Sequence, residues 1–155
     1  PIWAIDNNKS AVTTETVLLS LQNCVNYNGV ANRGAIQLTG ISFASSAASG
    51  VAQCRLKIGA IVAGTPSYTA VRGTLTVGGV TLTSANSIAS YDTAATTISG
   101  GDLIFSLSVD NPDTSPNVNL AEHNIFISPG EVLSITGAST VSSTLGVSVT
   151  WSEDI

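Results

Sequence analysis

Charged and reactive side chains are scarce in this chain. Asp, Glu, Lys and Arg make up 10% of its 155 residues, against about 25% in a typical soluble domain. There is one histidine, His123, and no Gly-x-Ser-x-Gly motif, so the base-activated serine of a hydrolase has no recognisable set of partners. Glycine-rich phosphate loops are also missing. These absences predict a protein that is not an enzyme and uses no cofactor.

Long apolar runs are absent as well. No run approaches the ~20 apolar residues that span a bilayer, and no basic segment followed by an apolar core opens the chain. We therefore expect neither membrane insertion nor secretion by a signal peptide. The two cysteines are Cys24 and Cys54. A reducing compartment favours two free, buried thiols over a disulfide, but both alternatives stay open.

Metal-binding patterns are weak. The spacing of the two cysteines excludes the usual zinc motifs. Asp110, Asn111 and Asp113 carry oxygens that calcium accepts as ligands, but they lack EF-hand spacing, and clusters of Asp and Asn around Pro112 are typical of turns. The sequence therefore predicts a turn here and no metal site. Paired carboxylates for glycoside hydrolysis remain a weak alternative, because sequence does not show which acids meet.

Basic residues are missing from the C-terminal half. Residues 1–72 hold two acids and all five basic residues of the chain, which are Lys9, Arg33, Arg55, Lys57 and Arg72. Residues 73–155 hold eight acids and no base, and the net charge is −5. This balance disfavours nucleic acid, whose binding requires neutralised phosphates. An acidic surface could meet a basic patch on a neighbouring subunit, unless strands from the two halves mix in space.

What the chain does contain is short strands with an apolar residue at every second position. The clearest alternation covers residues 51–62, and others follow at 17–21, 103–109, 131–136 and 144–151. Turn signals separate them, among them Gly78-Gly79 between two apolar pairs, and residues 118–127 are also predicted as a strand. The fold class predicted is all-β: an antiparallel β-sandwich, jelly-roll-like, of about eight to nine strands.

The N-terminus differs from the rest in being mostly polar. Residues 1–14 are predicted to form an arm with Trp3 and Ile5 as apolar anchors that contact a partner chain, and residues 15–155 a single sandwich domain. Deleting the arm is then expected to leave a folded domain. Among the aromatic residues, Tyr68 and Tyr91 could form a platform for a sugar, although packing in the core or a loop is the commoner role.

The C-terminal half has a recognisable order of segments. Residues 90–96 read SYDTAAT, 100–107 GGDLIFSL, 124–135 NIFISPGEVLSI and 147–155 VSVTWSEDI, and RGAIQL at 33–38 extends the pattern upstream. In this ordering the chain resembles small bacteriophage virion proteins of the cement, decoration or fibre type. The resemblance implies a jelly-roll β-sandwich that is frequently trimeric and sits on capsids, necks or fibres. It implies no catalytic residues.

Three functions are compatible with these observations. The first is a structural virion protein, a homo-oligomer and most often a trimer, that binds major capsid or neck proteins as a cement or decoration subunit. The second is a receptor- or glycan-binding module of a phage fibre or tail. The third, which has no motif in its favour, is a β-sandwich hydrolase. The scarcity of long side chains favours the first, because packing against copies then costs little side-chain entropy.

Overall fold

The computed structural model describes residues 2–71, 74–83, 87–110 and 117–154. The strands in these ranges are β1 (Ile2–Val12), β2 (Thr16–Asn23), β3 (Asn26–Tyr27), β4 (Val30–Ala31), β5 (Ala35–Ser45), β6 (Val51–Ile58), β7 (Ile61–Ala63), β8 (Thr69–Ala70), β9 (Thr74–Val77), β10 (Val80–Thr83), β11 (Ala89–Asp92), β12 (Thr97–Ser99), β13 (Asp102–Asp110), β14 (Asn117–Asn119), β15 (Phe126–Ile127), β16 (Val132–Ser139) and β17 (Ser143–Asp154). One 3-10 helix covers Ala121–His123. The strands outnumber the eight or nine predicted, because the sequence signals miss several pairings of two or three residues.

Two large antiparallel sheets form the body of the fold. Sheet I has the order β1-β17-β5-β14, with β15 also paired to β5. Sheet II has the order β13-β6-β16-β2-β11-β8. The β9–β10 hairpin confirms the turn predicted at Gly78-Gly79. The prediction of an all-β antiparallel sandwich is confirmed.

The core lies between the two sheets and follows from the alternation of apolar residues. Along β17 every second side chain is buried, including Leu145, Val147, Val149 and Trp151. Sheet II supplies the other side of one continuous cluster, which includes Leu19, Leu21, Cys54, Leu56, Leu133 and Ile135. Each large apolar side chain buried in this way contributes roughly 1.5–3 kcal/mol to folding.

The segment predicted as an N-terminal arm is a strand of sheet I. β1 pairs with β17 from Ile2 to Lys9 and lies at the edge of the sheet. Trp3 and Ile5 are half-buried and pack against the core of their own chain. The Asn7 amide donates a hydrogen bond to the Leu18 carbonyl at 2.8 Å, which ties this edge to β2. A contact of Trp3 and Ile5 with another chain stays a prediction.

Residues 118–127 differ from the predicted strand. They contain the end of β14, the 3-10 helix and β15, and Asn124 ends the helix in the left-handed conformation with φ 51°. The predicted turn at Asp110 runs into residues 111–116, which lie outside the described ranges. The final strand is present as β17 and extends to Asp154. No helix in the described ranges is long and apolar enough to cross a membrane.

Candidate functional site

His123 has no catalytic surroundings. It lies exposed in the 3-10 helix, and its ring meets Phe105 edge-on with 5.4 Å between the centroids. Among the described residues, no group of three or more His, Cys, Asp and Glu side chains is close enough to hold a metal ion. The geometry around His123 therefore indicates packing against an aromatic ring.

Both cysteines are free thiols. Cys54 is buried in the core, where burial raises the pKa of its thiol to about 12. Cys24 is half-buried, and its Sγ lies 3.7 Å from the Ser90 hydroxyl. Because the thiolate is the reactive form of cysteine, Cys54 is poorly suited to nucleophilic chemistry.

Asp92 is a buried acid that accepts three hydrogen bonds from backbone amides. It is buried at the end of β11, where Oδ1 accepts hydrogen bonds from the Ser67 and Ala94 amides at 2.8 and 3.1 Å, and Oδ2 accepts one from the Ala95 amide at 3.0 Å. Burial opposes ionisation, but these amides and nearby Lys9 outweigh it, so the pKa of Asp92 is lowered. This arrangement joins two loops, since two donors follow Asp92 directly and the third, the Ser67 amide, comes from the segment before β8.

Lys9 links the two sheets next to Asp92. Its Nζ donates to the Val17 carbonyl at 2.6 Å and also to the Ala95 carbonyl. Desolvation lowers the pKa of Lys9, and the charge of Asp92 partly counteracts that effect. Tyr68 lies beside Asp92 and Ser20, and burial raises the pKa of its hydroxyl. Tyr68 and Tyr91, the predicted sugar platform, are both half-buried.

Arg55 and Lys57, two further basic residues of the N-terminal half, lie on β6 at the outer face of sheet II. Glu15 binds Lys57 Nζ at 2.8 Å and Arg55 Nη1 at 3.2 Å. A row of paired residues crosses four strands beside them: Asp92, Ser20, Ser134 and Lys57. The two halves of the sequence therefore mix on this face, and the charge asymmetry is partly cancelled here.

Glu153 is buried, although the sequence places it at the exposed rim of the last strand. One carboxylate oxygen accepts hydrogen bonds from the Ser87 hydroxyl and, at 3.0 Å, from the Trp151 indole. The other accepts one from the Ile88 amide at 3.2 Å. Three neutral donors thus replace water around this carboxylate. Their hydrogen bonds anchor the end of β17 to the segment before β11. No base is needed nearby for this role.

The middle of the outer side of sheet I, here called the sheet I face, is made mainly of small side chains. Its cross-strand rows consist of Ala4, Asp6, Asn8, Gly40, Ser42, Ala44, Gly146, Ser148 and Thr150. Asp6 is the only charged residue among them. The side-chain amide of Asn8 occupies the space above Gly146. A Cβ atom at residue 146 would come within 2.4 Å of Asn8 Oδ1, so this position requires glycine. A shallow groove of about 200 Å³ runs between Asn8, Ser42 and Ser148.

Exposed apolar residues flank the sheet I face. Ile2 and Phe126 end the same cross-strand row and are 79% and 49% exposed. Leu103 and Ile104 belong to sheet II, where they lie on the edge strand β13 and are 54% and 37% exposed. Sequence reasoning missed this surface because small Ser, Thr, Gly and Ala residues produce no motif. Their position on one face becomes visible only when the strands are paired.

Neither protein-family models nor curated proteins give a match to this chain.

Proposed function

We propose that this chain is a structural subunit of a bacteriophage virion, a cement or decoration protein that binds the head shell as a homo-oligomer. The sheet I face carries the proposal, as the surface through which we propose that copies of the chain meet. Its nine residues lie on three paired strands and carry one charge, that of Asp6. Interfaces between proteins are depleted of charged residues at their centre, and small side chains lose little entropy when a partner covers them.

The strand order supports the jelly-roll form of this proposal. The eight strand positions of the sandwich are β1, β2, β5, β6, β13, the β14–β15 pair, β16 and β17. When these positions are numbered 1 to 8 along the chain, the strand order of sheet I is 1, 8, 3, 6 and that of sheet II is 2, 7, 4, 5. β11 and β8 extend sheet II next to position 2. Two Greek keys folded onto each other produce such an order.

The exposed edges support self-association, in the form of the trimer that the resemblance implies. β13 is one of the two edge strands of sheet II and β1 is one of those of sheet I. An open edge is a site that natural proteins cover or protect. Closed symmetric oligomers are the usual outcome when such surfaces meet copies of themselves. Major capsid or neck proteins are the second class of partner, and nucleic acid and membranes have no part in the proposal.

The proposal assigns no catalytic role to the chain. Asp92 and Glu153, the buried acids in the described ranges, are held by donors of their own chain. This is why a structural role is favoured over the hydrolase alternative. Receptor or glycan binding remains the second candidate function, because one pocket of the structure has the chemistry for it.

Particle fractionation tests the proposal. Virions from an infected culture are purified on a density gradient, and the chain is quantified against the major capsid protein by mass spectrometry. We expect it to sediment with the particles at a fixed copy ratio that persists after a high-salt wash. Its complete recovery in the unassembled fraction, with none in purified particles, would overturn the proposal.

A further inference from the structure

A small hairpin at one end of the sandwich forms a pocket that the structural role does not use. The pocket, here called the hairpin pocket, has a volume of about 320 Å³, within the range of small-molecule sites. It is lined by Tyr27, Val30, Ala31, Asn32, Arg33, Gly34 and Asp154. The hairpin itself is β3 and β4, joined by Asn28 and Gly29 with φ of 52° and 80°, the positive angles that a tight type I′ turn requires.

A buried amide network holds the hairpin in place. Asn23 is fully buried, and its Nδ2 donates to the Gly34 and Ile127 carbonyls at 2.9 and 2.8 Å. Asn32 Nδ2 donates to Asn23 Oδ1 and to the Cys24 carbonyl, both at 2.7 Å, and Asn32 Oδ1 accepts from the Gly34 amide at 2.8 Å. The network therefore fixes Asn32 and the backbone at the base of the hairpin before any ligand arrives, which reduces the entropy cost of binding.

Two opposite charges line the pocket without pairing. Arg33 and Asp154 are both exposed, and neither forms an ion pair within the described ranges, where Glu15 supplies the acid of both salt bridges. Arg33 offers up to five N–H donors and Asp154 two acceptor oxygens. The carboxylate of Asp154 would repel a simple anion, and the guanidinium of Arg33 would repel a simple cation. A neutral ligand rich in hydroxyl groups can use both.

The apolar side of the pocket completes the chemistry. Tyr27 is half-buried, packs against the core and lines the pocket. Val30 is its cross-strand partner and is 65% exposed. A pyranose ring has one face of C–H groups and an equator of hydroxyls, which matches an aromatic and aliphatic wall beside a donor and an acceptor. We propose that the hairpin pocket binds a saccharide, with Tyr27 against the ring and Arg33 and Asp154 on its hydroxyls.

The test is a glycan array that carries lipopolysaccharide core oligosaccharides, capsular polysaccharide fragments and host-type glycans, followed by titration calorimetry with the strongest saccharide. Arg33→Gln and Asp154→Asn alter exposed side chains, so both variants keep the fold. Tyr27→Leu keeps an apolar wall and removes the ring. We expect each variant to weaken binding by about tenfold or more, the usual cost of a lost charged hydrogen bond or aromatic contact. Glu122→Gln, an exposed acid elsewhere, should leave the affinity unchanged.

Three results would overturn this inference: no saccharide on the array binds, binding survives all three pocket variants, or the pocket prefers free amino acids, whose carboxylate and ammonium would also fit Arg33 and Asp154. The inference deepens the second candidate function, glycan binding, and does not depend on the structural role in the virion. If Arg33→Gln loses saccharide binding but is recovered in particles like the wild type, the pocket and the structural role are independent. If the wild type binds saccharide but is absent from particles, the structural role fails and the inference stands.

Discussion

At the scale of single residues, the buried charged groups of this protein explain how its loops are fixed. Asp92 and Lys9 come from different sheets and meet around the backbone of Ala94, Ala95 and Val17. Glu153 performs a similar task at the other end of the chain with neutral donors alone. In both places the carboxylate replaces water for hydrogen-bond donors that would otherwise be buried without partners.

The Asp92→Asn variant tests this account. Its amide group cannot accept all three hydrogen bonds, so we expect a loss of about 2 kcal/mol in the free energy of unfolding at pH 7, typical of bonds to a charged acceptor. The folded pKa of Asp92 lies below its unfolded value of about 4. Its contribution is therefore fully present above about pH 4 and is lost as pH falls through the folded pKa.

Urea denaturation at pH 7 and at pH 3 measures both effects. The difference between wild type and Asp92→Asn should shrink at the lower pH, because the variant has no proton to bind at this position. Asp102→Asn, an exposed acid on β13, is the matched control and should change the stability little at either pH. An equal difference at both pH values would show that the charge of Asp92 is not what stabilises the loop.

At the scale of elements, strands with strict alternation could be predicted and others could not. β6 and β17 were predictable because one face is apolar and the other polar. β1 has the same period at Trp3 and Ile5, but the next side chains that point inward are the polar Asn7 and Lys9. They donate hydrogen bonds to carbonyls of β2 and of the loop after β11, which the sequence does not reveal. The 3-10 helix is too short to leave a periodic signal.

Because β1 is a strand of sheet I, we expect its removal to destabilise the domain. Deleting residues 2–12 opens the edge of β17 and removes the packing of Trp3 and Ile5, a loss of several kcal/mol from a total near 5–15 kcal/mol. Thermal unfolding followed by circular dichroism should show a strongly lowered or absent transition. Ile2→Ser, a change at an exposed position of the same strand, should have almost no effect.

An unchanged melting temperature in the truncated protein would contradict this expectation. It would instead support the sequence-based prediction of an arm that is dispensable for folding. Particle recovery of the truncated chain is informative only in that case, because an unfolded chain would fail to attach for a trivial reason.

At the scale of the whole molecule, the two sides of the sandwich have different characters. The outer face of sheet II carries the Glu15, Arg55 and Lys57 cluster, while the sheet I face has small side chains and one acid. Fold class could be predicted from alternation alone. The sheet I face and the hairpin pocket could not, because they depend on which residues the strand register brings together across distant parts of the sequence.

The mass of the protein in solution tests the central claim most directly. Light scattering should give a multiple of 15.7 kDa for the wild type. Ser42→Arg puts a long charged side chain in the middle of the sheet I face and should reduce the mass to that of one chain. Ser142→Arg, the same change at an exposed position in the turn between β16 and β17, should leave the assembly intact. A monomeric wild type at all concentrations, or a Ser42→Arg variant that assembles like the wild type, would contradict the account.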